Sequence, residues 1–384
     1  MAADEQIRHS LFLLLQHMEQ ENFKGYDPYD GLTSPLFRLP FLSSNHKIRF
    51  YGQQLVKRSP VNLRPLLQIK KNLNPVTLGL AIQAYAALYE KTKDQQYKAK
   101  VAKQIQQLHN LQAAGFHGAC WGYDFPWEAR YATIPALQPT VVATGIISHG
   151  LFQAYQKMQL AEAGEMVVST AKFVLKDLNR KTETDDSFCF SYSPFDREMV
   201  FNASMKGVRI LSEAYALTGN QEYISTAANA VKWVMNHQDK DGAWIYSKRE
   251  TGKWVDNYHT GYILDCLDSY ITHSGDESYR PALNIGLSYY LSNFITDEGI
   301  PKFYNKEIYP IDCTAAGQTL LTLVKFGKTE TACSVAKWMH QYMQSEQGYF
   351  YFRKYKSSIE KVNFMRWSNA WMLAGLSELY QHLN

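Results

Sequence analysis

Four aspartates occupy turns or the predicted starts of apolar helices, where a carboxylate can take part in acid and base chemistry: Asp30, Asp124, Asp256 and Asp312. A glycosidic bond breaks when one carboxylic acid protonates the bridging oxygen and a second carboxylate activates water or attacks the anomeric carbon. Asp256 and Asp312 are predicted to begin helices, and a helix N-terminus stabilises an ionised carboxylate. These two suit a base or nucleophile, and the acid is then expected in a loop, at Asp30 or Asp124.

Aromatic, cationic and imidazole side chains lie near these acids in the sequence. The candidate ligand-binding residues are Tyr26, Trp121, Trp127, Arg130, Tyr192, Trp244, His259, Arg366 and Trp367. Flat rings stack on the C–H faces of sugars, and an Arg guanidinium can hold a uronate carboxylate with two hydrogen bonds. The combination favours an oligo- or polysaccharide as the ligand.

Each of these residues also has a purely structural interpretation. Asp256 and Asp312 suit helix N-caps, because a carboxylate there accepts hydrogen bonds from free backbone N–H groups. The rings can belong to the core, and His259, early in an apolar helix, can be a buried histidine with satisfied hydrogen bonds. The predicted site therefore depends on the convergence of the whole set on one cleft.

The elements that must position these residues repeat along the chain. Three segments share a layout of helix, glycine turn, helix, and glycine followed by aromatic residues. Their turn glycines are Gly219, Gly275 and Gly327, at spacings of 275 − 219 = 56 and 327 − 275 = 52 residues. Glycine is favoured at such helix ends because it enters the left-handed region at low cost. Two looser units span 75–127 and 139–194, so the sequence predicts five helical hairpins.

The first and last helices complete the count. Helices predicted over about 5–20 and over 368–383 each lack a neighbouring partner in the sequence, so they can pair and close a ring. Six hairpins predict an all-α (α/α)6 toroid, with residues 1–384 as a single domain. Short β-hairpins are expected at the cleft mouth, where the aromatic residues lie.

The composition of the helices predicts which of them are inside. The first helix of each hairpin, such as 140–150, is apolar all round and must be buried, whereas the second carries an apolar stripe and charges. The first helices therefore form an inner ring. Because they all run in the same direction, their N-termini and the preceding aromatic loops meet at one mouth, where the site is expected.

Bulk properties exclude several classes of protein. The chain is 46% hydrophobic and 20% charged, which is typical of a globular protein with a large core. Its formal charge is 40 − 36 = +4, without a basic stripe, so no nucleic-acid partner is expected. No run approaches the roughly twenty apolar residues that span a membrane, so no membrane partner is expected either.

The number and spacing of the cysteines predict reduced thiols in a reducing compartment and no metal site. Five widely separated cysteines form no C-x-x-C pair, which is typical of reduced thiols in a core. No cofactor and no metal are predicted, and the expected location is the cytoplasm. Protein partners and the oligomeric state are left open.

Four motifs resemble a known family. The segments 124–130 (DFPWEAR), 26–32 (YDPYDGL), 256–261 (DNYHTG) and 364–367 (FMRW) look like those of the VpsJ-type polysaccharide biosynthesis proteins, which belong with the six-hairpin glycosidase-like group. The likeness covers nearly the whole chain, in order. It implies an (α/α)6 fold and a role with extracellular or capsular polysaccharide.

Three functions fit a cleft of this composition. The first is glycoside hydrolysis or a related reaction through paired acids. The second is lyase or epimerase action on a uronic acid, in which His259 or Tyr258 removes the C5 proton and Arg130 or Arg366 neutralises the carboxylate. The third is noncatalytic binding or assembly of a polysaccharide, which needs the aromatic cleft but no paired acids.

Overall fold

The computed structural model describes residues 3–128 and 133–383. In this part of the chain the α-helices are α1 (Ala3–Gln20), α2 (Pro40–Ser43), α3 (His46–Arg58), α4 (Pro75–Thr92), α5 (Gln96–Asn110), α6 (Val141–Met158), α7 (Ala161–Lys176), α8 (Phe201–Thr218), α9 (Gln221–Met235), α10 (Asn257–Ser274), α11 (Arg280–Phe294), α12 (Cys313–Lys325), α13 (Thr329–Met343) and α14 (Trp371–Gln381). A π-helical segment, Met365–Ala370, leads directly into α14.

Six of these helices form a closed inner ring. Helices α4, α6, α8, α10, α12 and α14 each pack against the next one, and α14 packs against α4. Their residues are buried nearly all round; in α4, every residue of the run 75–88 is buried. The outer helices α1, α5, α7, α9, α11 and α13 bury only a stripe, as α9 does with Tyr223, Ala227 and Val234. The predicted (α/α)6 toroid is thus confirmed.

The first and last helices meet where the ring closes. Helix α1 packs against α13 and α14. The Phe12 and Tyr380 rings lie edge to face at 5.9 Å, and the Ser10 hydroxyl donates to Gln344 Oε1 at 2.6 Å. The sequence predicted this pairing, although α1 begins before residue 5 and the last helical stretch begins at Met365 rather than at 368.

Local chemistry fixes the ends of the inner helices. Asp256 and Asp312 are the N-caps of α10 and α12, and each carboxylate accepts backbone N–H bonds from the first turn. Gly219 and Gly275 end α8 and α10 with φ of +69° and +74°, in the left-handed region that favours glycine. The inner helices therefore begin at one end of the toroid and end at the other.

Short antiparallel strands occupy the loops that precede the inner helices. The strands are β1 (Lys24–Gly25), β2 (Asn72–Leu73), β3 (Trp127–Glu128), β4 (Thr133–Ile134), β5 (Arg180–Thr182), β6 (Phe188–Phe190), β7 (Ile311–Asp312), β8 (Arg353–Lys354) and β9 (Ile359–Glu360). They pair as β1–β2, β3–β4, β5–β6 and β7–β8–β9. The last sheet places Arg353 opposite both Asp312 and Glu360.

The segment between α1 and α4 contains two helices, α2 and α3, that lie outside the repeat and that the sequence analysis did not predict. Helix α3 is capped by Asn45, whose side chain accepts from the N–H groups of Lys47 and Ile48. The buried Gln53 side chain of α3 binds the backbone of Glu128, donating to its oxygen at 3.2 Å and accepting from its N–H at 2.9 Å. This exchange attaches α3 to the loop before α6.

Two further properties concern the thiols and the helix lengths. Cys120, Cys189, Cys266 and Cys313 are buried free thiols, and Cys333 is half-buried. Among the described residues, no helix combines the length and the apolar character needed to cross a membrane.

Candidate active site

An aromatic cavity of about 250 Å³, here called the inner chamber, lies at the N-terminal ends of the inner helices. Its walls include Tyr29, Trp127, Tyr192, His259 and Trp367, which come from five separate parts of the chain. Tyr29 lies edge to face against Trp127 at 6.4 Å and against Trp367 at 5.7 Å. Such ring faces can stack on the C–H faces of a sugar.

Four buried polar atoms on the inner chamber wall have no hydrogen-bond partner within residues 3–128 and 133–383. They are the indole Nε1 atoms of Trp127 and Trp367, the Asn202 Oδ1 and the Thr314 Oγ1. A buried polar group without a partner costs free energy. The residues that line this aromatic cavity thus carry two donors, one acceptor and one hydroxyl without partners, which are groups that can pair with the hydroxyls of a polyhydroxylated ligand.

A second cavity of about 500 Å³, here called the outer chamber, adjoins the inner one. The two share Tyr29, Trp254, Tyr258, His259 and Trp367. The shared residues mark the junction at which a ligand filling the inner chamber would continue outward. The outer chamber adds charged side chains to these rings: Lys57, Arg58, Asp256, Arg353 and Glu360.

Asp256 and His259 form a hydrogen-bonded pair at the junction. His259 Nδ1 lies 2.7 Å from Asp256 Oδ2, and Trp254 Nε1 donates to the same oxygen at 2.8 Å. The Asp256 side chain is 1% exposed, and that of His259 is 16% exposed. Since the carboxylate holds Nδ1, Nε2 is the nitrogen of His259 left for a ligand or water.

Glu360 is the carboxyl group best suited to donate a proton. It is buried on β9, and its Oε1 has no hydrogen-bond partner in the described part of the chain. Burial raises the pKa of Glu360 to about 7, against the smaller opposing effect of Arg353. About half of this group is therefore protonated at pH 7, so it can act as a general acid near neutral pH. Sequence reasoning missed it, because a lone Glu in the polar stretch 353–361 carries no helix-start or aromatic signal.

Arg366 is oriented by a buried carboxylate. Its Nε and Nη2 donate to the two oxygens of Asp27 at 2.6 and 2.9 Å. The guanidinium also lies 4.6 Å from the Tyr123 ring centroid. The prediction that Arg366 neutralises a substrate carboxylate is corrected here, because Asp27 already occupies its bidentate face. Asp27 itself was not singled out, although it lies in the quoted loop 26–32.

The other predicted acids lie outside both chambers. Asp312 accepts from Arg353 Nε at 2.6 Å, besides capping α12. Asp30 binds Arg64 Nε at 2.8 Å and has a raised pKa because of its burial. Burial and the neighbouring Asp27 carboxylate raise the pKa of Asp124 to about 6, and its Oδ1 accepts from Asn74 at 2.5 Å.

The structure places some predicted aromatic residues in the core. Trp121 is fully buried and donates to the Leu108 oxygen, and Trp244 is 2% exposed and donates to the Val234 oxygen. The expectation that these two rings face the mouth is corrected accordingly. Tyr26 packs against Phe364, away from both chambers.

Four of the predicted ligand-binding residues, together with Arg366, do meet in the walls of the chambers: Trp127, Tyr192, His259 and Trp367. Arg130 lies outside the described residues. Tyr258 lines both chambers, but burial raises its pKa well above 10.0, which makes it a poor base. Within the described ranges, no group of three or more His, Cys, Asp or Glu side chains could hold a metal ion.

The toroid and its aromatic cleft define a carbohydrate-active protein of the six-hairpin glycosidase-like class. The family comparison agrees: residues 46–285, more than half of the chain, match the profile described as beta-L-arabinofuranosidase, GH127 catalytic domain. The chain belongs to this family. A search of curated proteins found no significant match.

Solved structures with the same fold include three sugar-processing enzymes. Cellobiose 2-epimerase from Bacillus thermoamylovorans B4167 has 13% identity and a TM-score of 0.61, over 82% of this chain and 90% of the other. The unsaturated glucuronyl hydrolase from Streptococcus agalactiae has 12% identity and a TM-score of 0.58, over 98% and 91%. The GH76 alpha-mannanase from Bacteroides thetaiotaomicron has 13% identity and a TM-score of 0.60, over 80% and 86%. At these identities the likeness concerns the fold alone.

Proposed function

We propose that this protein is a glycoside hydrolase that removes a terminal sugar from an oligo- or polysaccharide. The observation that carries the proposal is the meeting of Glu360 with the Asp256–His259 pair in the outer chamber, next to an aromatic chamber with four unpartnered polar atoms. Membership of the GH127 family supports the reaction class. The resemblance to VpsJ-type proteins supports a role in polysaccharide biosynthesis.

The two acid–base groups have complementary roles in this reaction. Glu360 gives its proton to the bridging oxygen as the bond to the anomeric carbon breaks. His259 Nε2 takes a proton from the water whose oxygen bonds to that carbon, while Asp256 orients the ring and stabilises the imidazolium. The leaving group departs as an alcohol, and Glu360 then recovers a proton from solvent.

The shape of the cleft supports removal of the terminal unit. At its inner end, Ile146 and Trp371 line both the inner chamber and a further cavity deeper in the toroid. We propose that these two side chains close the inner end of the chamber, so that a saccharide chain does not pass through it. The terminal sugar occupies the inner chamber, and the remainder of the saccharide occupies the wider outer chamber.

Incubation with a panel of oligosaccharides and aryl glycosides, L-arabinofuranosides included, tests the proposal. We expect release of a monosaccharide, with the oligosaccharide shortened by one unit at a time, measured by chromatography. Release of internal fragments would contradict terminal cleavage. Saturable binding without any product would instead favour a noncatalytic polysaccharide-binding protein.

A second candidate is sugar epimerisation by proton abstraction. The described lining of the inner chamber contains no Asp or Glu, so His259 is the proton acceptor nearest a sugar held there. In D₂O, an epimerase would introduce deuterium at carbon, whereas hydrolysis leaves every C–H bond intact. Nuclear magnetic resonance of the recovered sugar therefore separates the two reactions.

A further inference from the structure

A third cavity lies on the toroid axis, deeper than the inner chamber. This axial chamber has a volume of about 210 Å³, and all six inner helices contribute to its wall. One lining residue from each helix, in chain order, is Gln83, His149, Arg209, Asp265, Gln318 and Glu378. These positions lie one or more turns beyond the residues that line the inner chamber.

The axial chamber opens at the face opposite the aromatic mouth. Lys325, the last residue of α12, and His382, just after α14, line it and are exposed. Ile146 and Trp371 line both this chamber and the inner chamber. A ligand can therefore enter it without passing through the site proposed for hydrolysis.

The axial chamber wall contains buried polar groups without partners. Lys206 is 1% exposed, and its Nζ lies over the Tyr262 ring at 3.8 Å without a hydrogen bond or ion pair to any described residue. Arg209 Nε and Ser269 Oγ, on side chains that are 6% and 5% exposed, also lack partners. Beside them, Glu213 Oε2 is buried and unpartnered in the same part of the chain.

The two carboxylates nearest to Lys206 and Arg209, those of Asp265 and Glu213, already have polar partners. Asp265 accepts hydrogen bonds from Gln318 at 2.6 Å and from Thr322 at 3.0 Å. Glu213 binds His149 Nδ1 at 2.6 Å and lies 4.0 Å from Arg209 Nε.

The charges at the rim are paired as well. Lys325 pairs with Asp268 at 3.0 Å, and Glu378 with Lys157 at 3.2 Å. Lys206 is therefore a buried cation that lines the axial chamber without an ion pair to any described residue, and Arg209 lies one helical turn from it on α8.

We propose that the axial chamber is a second binding site, for a small hydroxy-carboxylate of the sugar-acid class. Its carboxylate would accept from Lys206 Nζ and Arg209 Nε, in charge-assisted hydrogen bonds. One of its hydroxyl groups would exchange a hydrogen bond with Ser269 Oγ, which lines the chamber. Burial and Arg209 lower the pKa of Lys206 to about 7; a bound carboxylate supplies the missing counterion and opposes that shift.

Isothermal titration calorimetry of the full chain with D-glucuronate, D-glucose and inorganic phosphate at constant ionic strength tests this proposal. We expect glucuronate to bind with an affinity that depends on Lys206, phosphate to bind more weakly, and glucose to show no binding that depends on Lys206. Lys206→Met keeps the volume of the side chain and should weaken glucuronate binding about tenfold or more. Lys302→Met, which removes a positive charge near the opposite mouth, should leave it unchanged.

Two further variants test which chamber binds glucuronate and provide a second substitution in the axial chamber. Trp127→Ala alters the inner chamber and should not change glucuronate binding if the acid occupies the axial chamber. Ser269→Ala should fold normally and weaken binding severalfold, which covers the case in which Lys206→Met fails to fold. Equal binding of glucose, unchanged binding in both Lys206→Met and Ser269→Ala, or loss with Trp127→Ala would each overturn the proposal.

Discussion

Glu360 and Asp256 are both buried carboxyl groups in the outer chamber, yet their surroundings differ. Asp256 accepts hydrogen bonds from Trp254 and from the backbone of His259 and contacts the His259 ring, so its negative charge is stabilised. Glu360 has an unpartnered oxygen and a pKa raised by burial to about 7. The different surroundings make Glu360 the candidate general acid and make Asp256 the group that supports His259 as the base.

Replacing Glu360 by Gln should lower kcat/KM by about a hundredfold or more, because the amide cannot give up a proton. In the unmodified protein, kcat/KM should fall as the pH rises through about 7, where Glu360 loses its proton. Rate profiles from pH 5 to 9 check both points. A variant with full activity would remove Glu360 from the mechanism.

The same residue should affect stability in a pH-dependent way. Burial raises the pKa of Glu360 from 4.5 to about 7, so the folded protein binds this proton more tightly than the unfolded chain. Its contribution to the free energy of unfolding is complete below pH 4.5 and falls as the pH rises to about 7. The Tm of Glu360→Gln minus the Tm of the unmodified protein should therefore be larger at pH 8 than at pH 5.

The variants Asp256→Asn and Asp312→Asn should show whether each aspartate takes part in the reaction or only caps its helix. Both variants keep an oxygen that can cap the helix. Asp256→Asn should still fold, with a Tm lowered by the loss of the acceptor for Trp254 Nε1, and should lose most turnover because the His259 imidazolium is no longer stabilised. Asp312→Asn should cost about 3 kcal/mol of stability, because the Arg353 guanidinium loses its anionic partner. Thermal denaturation and activity of both variants check this, and an active Asp256→Asn would leave that residue only its capping role.

Trp127 and Trp121 form a matched pair for testing the aromatic wall. Trp127→Ala should weaken saccharide binding with little change in Tm, because its ring lines the inner chamber. Trp121→Ala should lower the free energy of unfolding by about 3–5 kcal/mol, because it empties a fully buried site. Fluorescence titration and thermal melts distinguish these outcomes. A large loss of stability in Trp127→Ala would identify that ring as core.

The sequence did not separate Trp127, His259 and Trp367, which line the inner chamber, from Trp121 and Trp244, which lie in the core. All five follow glycines or precede apolar helices, and the difference lies in the neighbours. The indole N–H groups of Trp121 and Trp244 reach carbonyl oxygens of an adjacent outer helix, at Leu108 and Val234. These pairings join residues 13 and 10 positions apart, and the residue types alone do not distinguish a ring that makes such a bond from a ring that lines a cavity. The burial of Glu360 leaves no sequence pattern either.

At the scale of the elements, glycines set how closely the inner helices approach each other. A Cβ on Gly150 of α6 would lie 2.2 Å from the Gly79 oxygen of α4, and a Cβ on Gly375 would lie 2.6 Å from the Gly317 oxygen. Neither contact is possible without moving the backbone. These glycines of the inner helices therefore allow the ring to close tightly.

Gly150→Ala should lower the free energy of unfolding by about 1–3 kcal/mol, because the overpacking outweighs the better helix propensity of Ala. Gly52→Ala in α3 is the control, since the added Cβ meets the movable end of the Phe37 ring. Chemical denaturation measures both. Equal stability of the two variants would argue that the α4–α6 contact can relax.

The spacing of apolar residues predicted the hairpins because each helix has its own burial pattern. Inner helices are apolar on all sides, whereas outer helices bury one apolar stripe. Helix α3 escaped the prediction because it lies outside the repeat and buries little, with Gln53 and Val56 as its buried residues. Its place is fixed by the hydrogen bonds between Gln53 and Glu128, which are 75 positions apart in the sequence.

At the scale of the whole molecule, we propose that the ring folds as a single cooperative domain. Removing α14 (371–381) should unfold the chain, because it exposes apolar faces on α4, α12 and α1 together. A net stability of about 5–15 kcal/mol cannot compensate for that loss. Circular dichroism of the truncated chain checks this. A soluble truncated protein with a cooperative melt would contradict single-domain folding.

The closed inner end at Ile146 and Trp371 has a kinetic consequence for the proposed reaction. With the inner end closed as proposed, a sugar released in the inner chamber leaves through the opening by which it entered, and the shortened saccharide must leave the outer chamber first. The free monosaccharide then competes with the next substrate for the same space. Turnover should therefore slow as product accumulates, with competitive inhibition by the released sugar, and the enzyme should detach from its polymer after every cut.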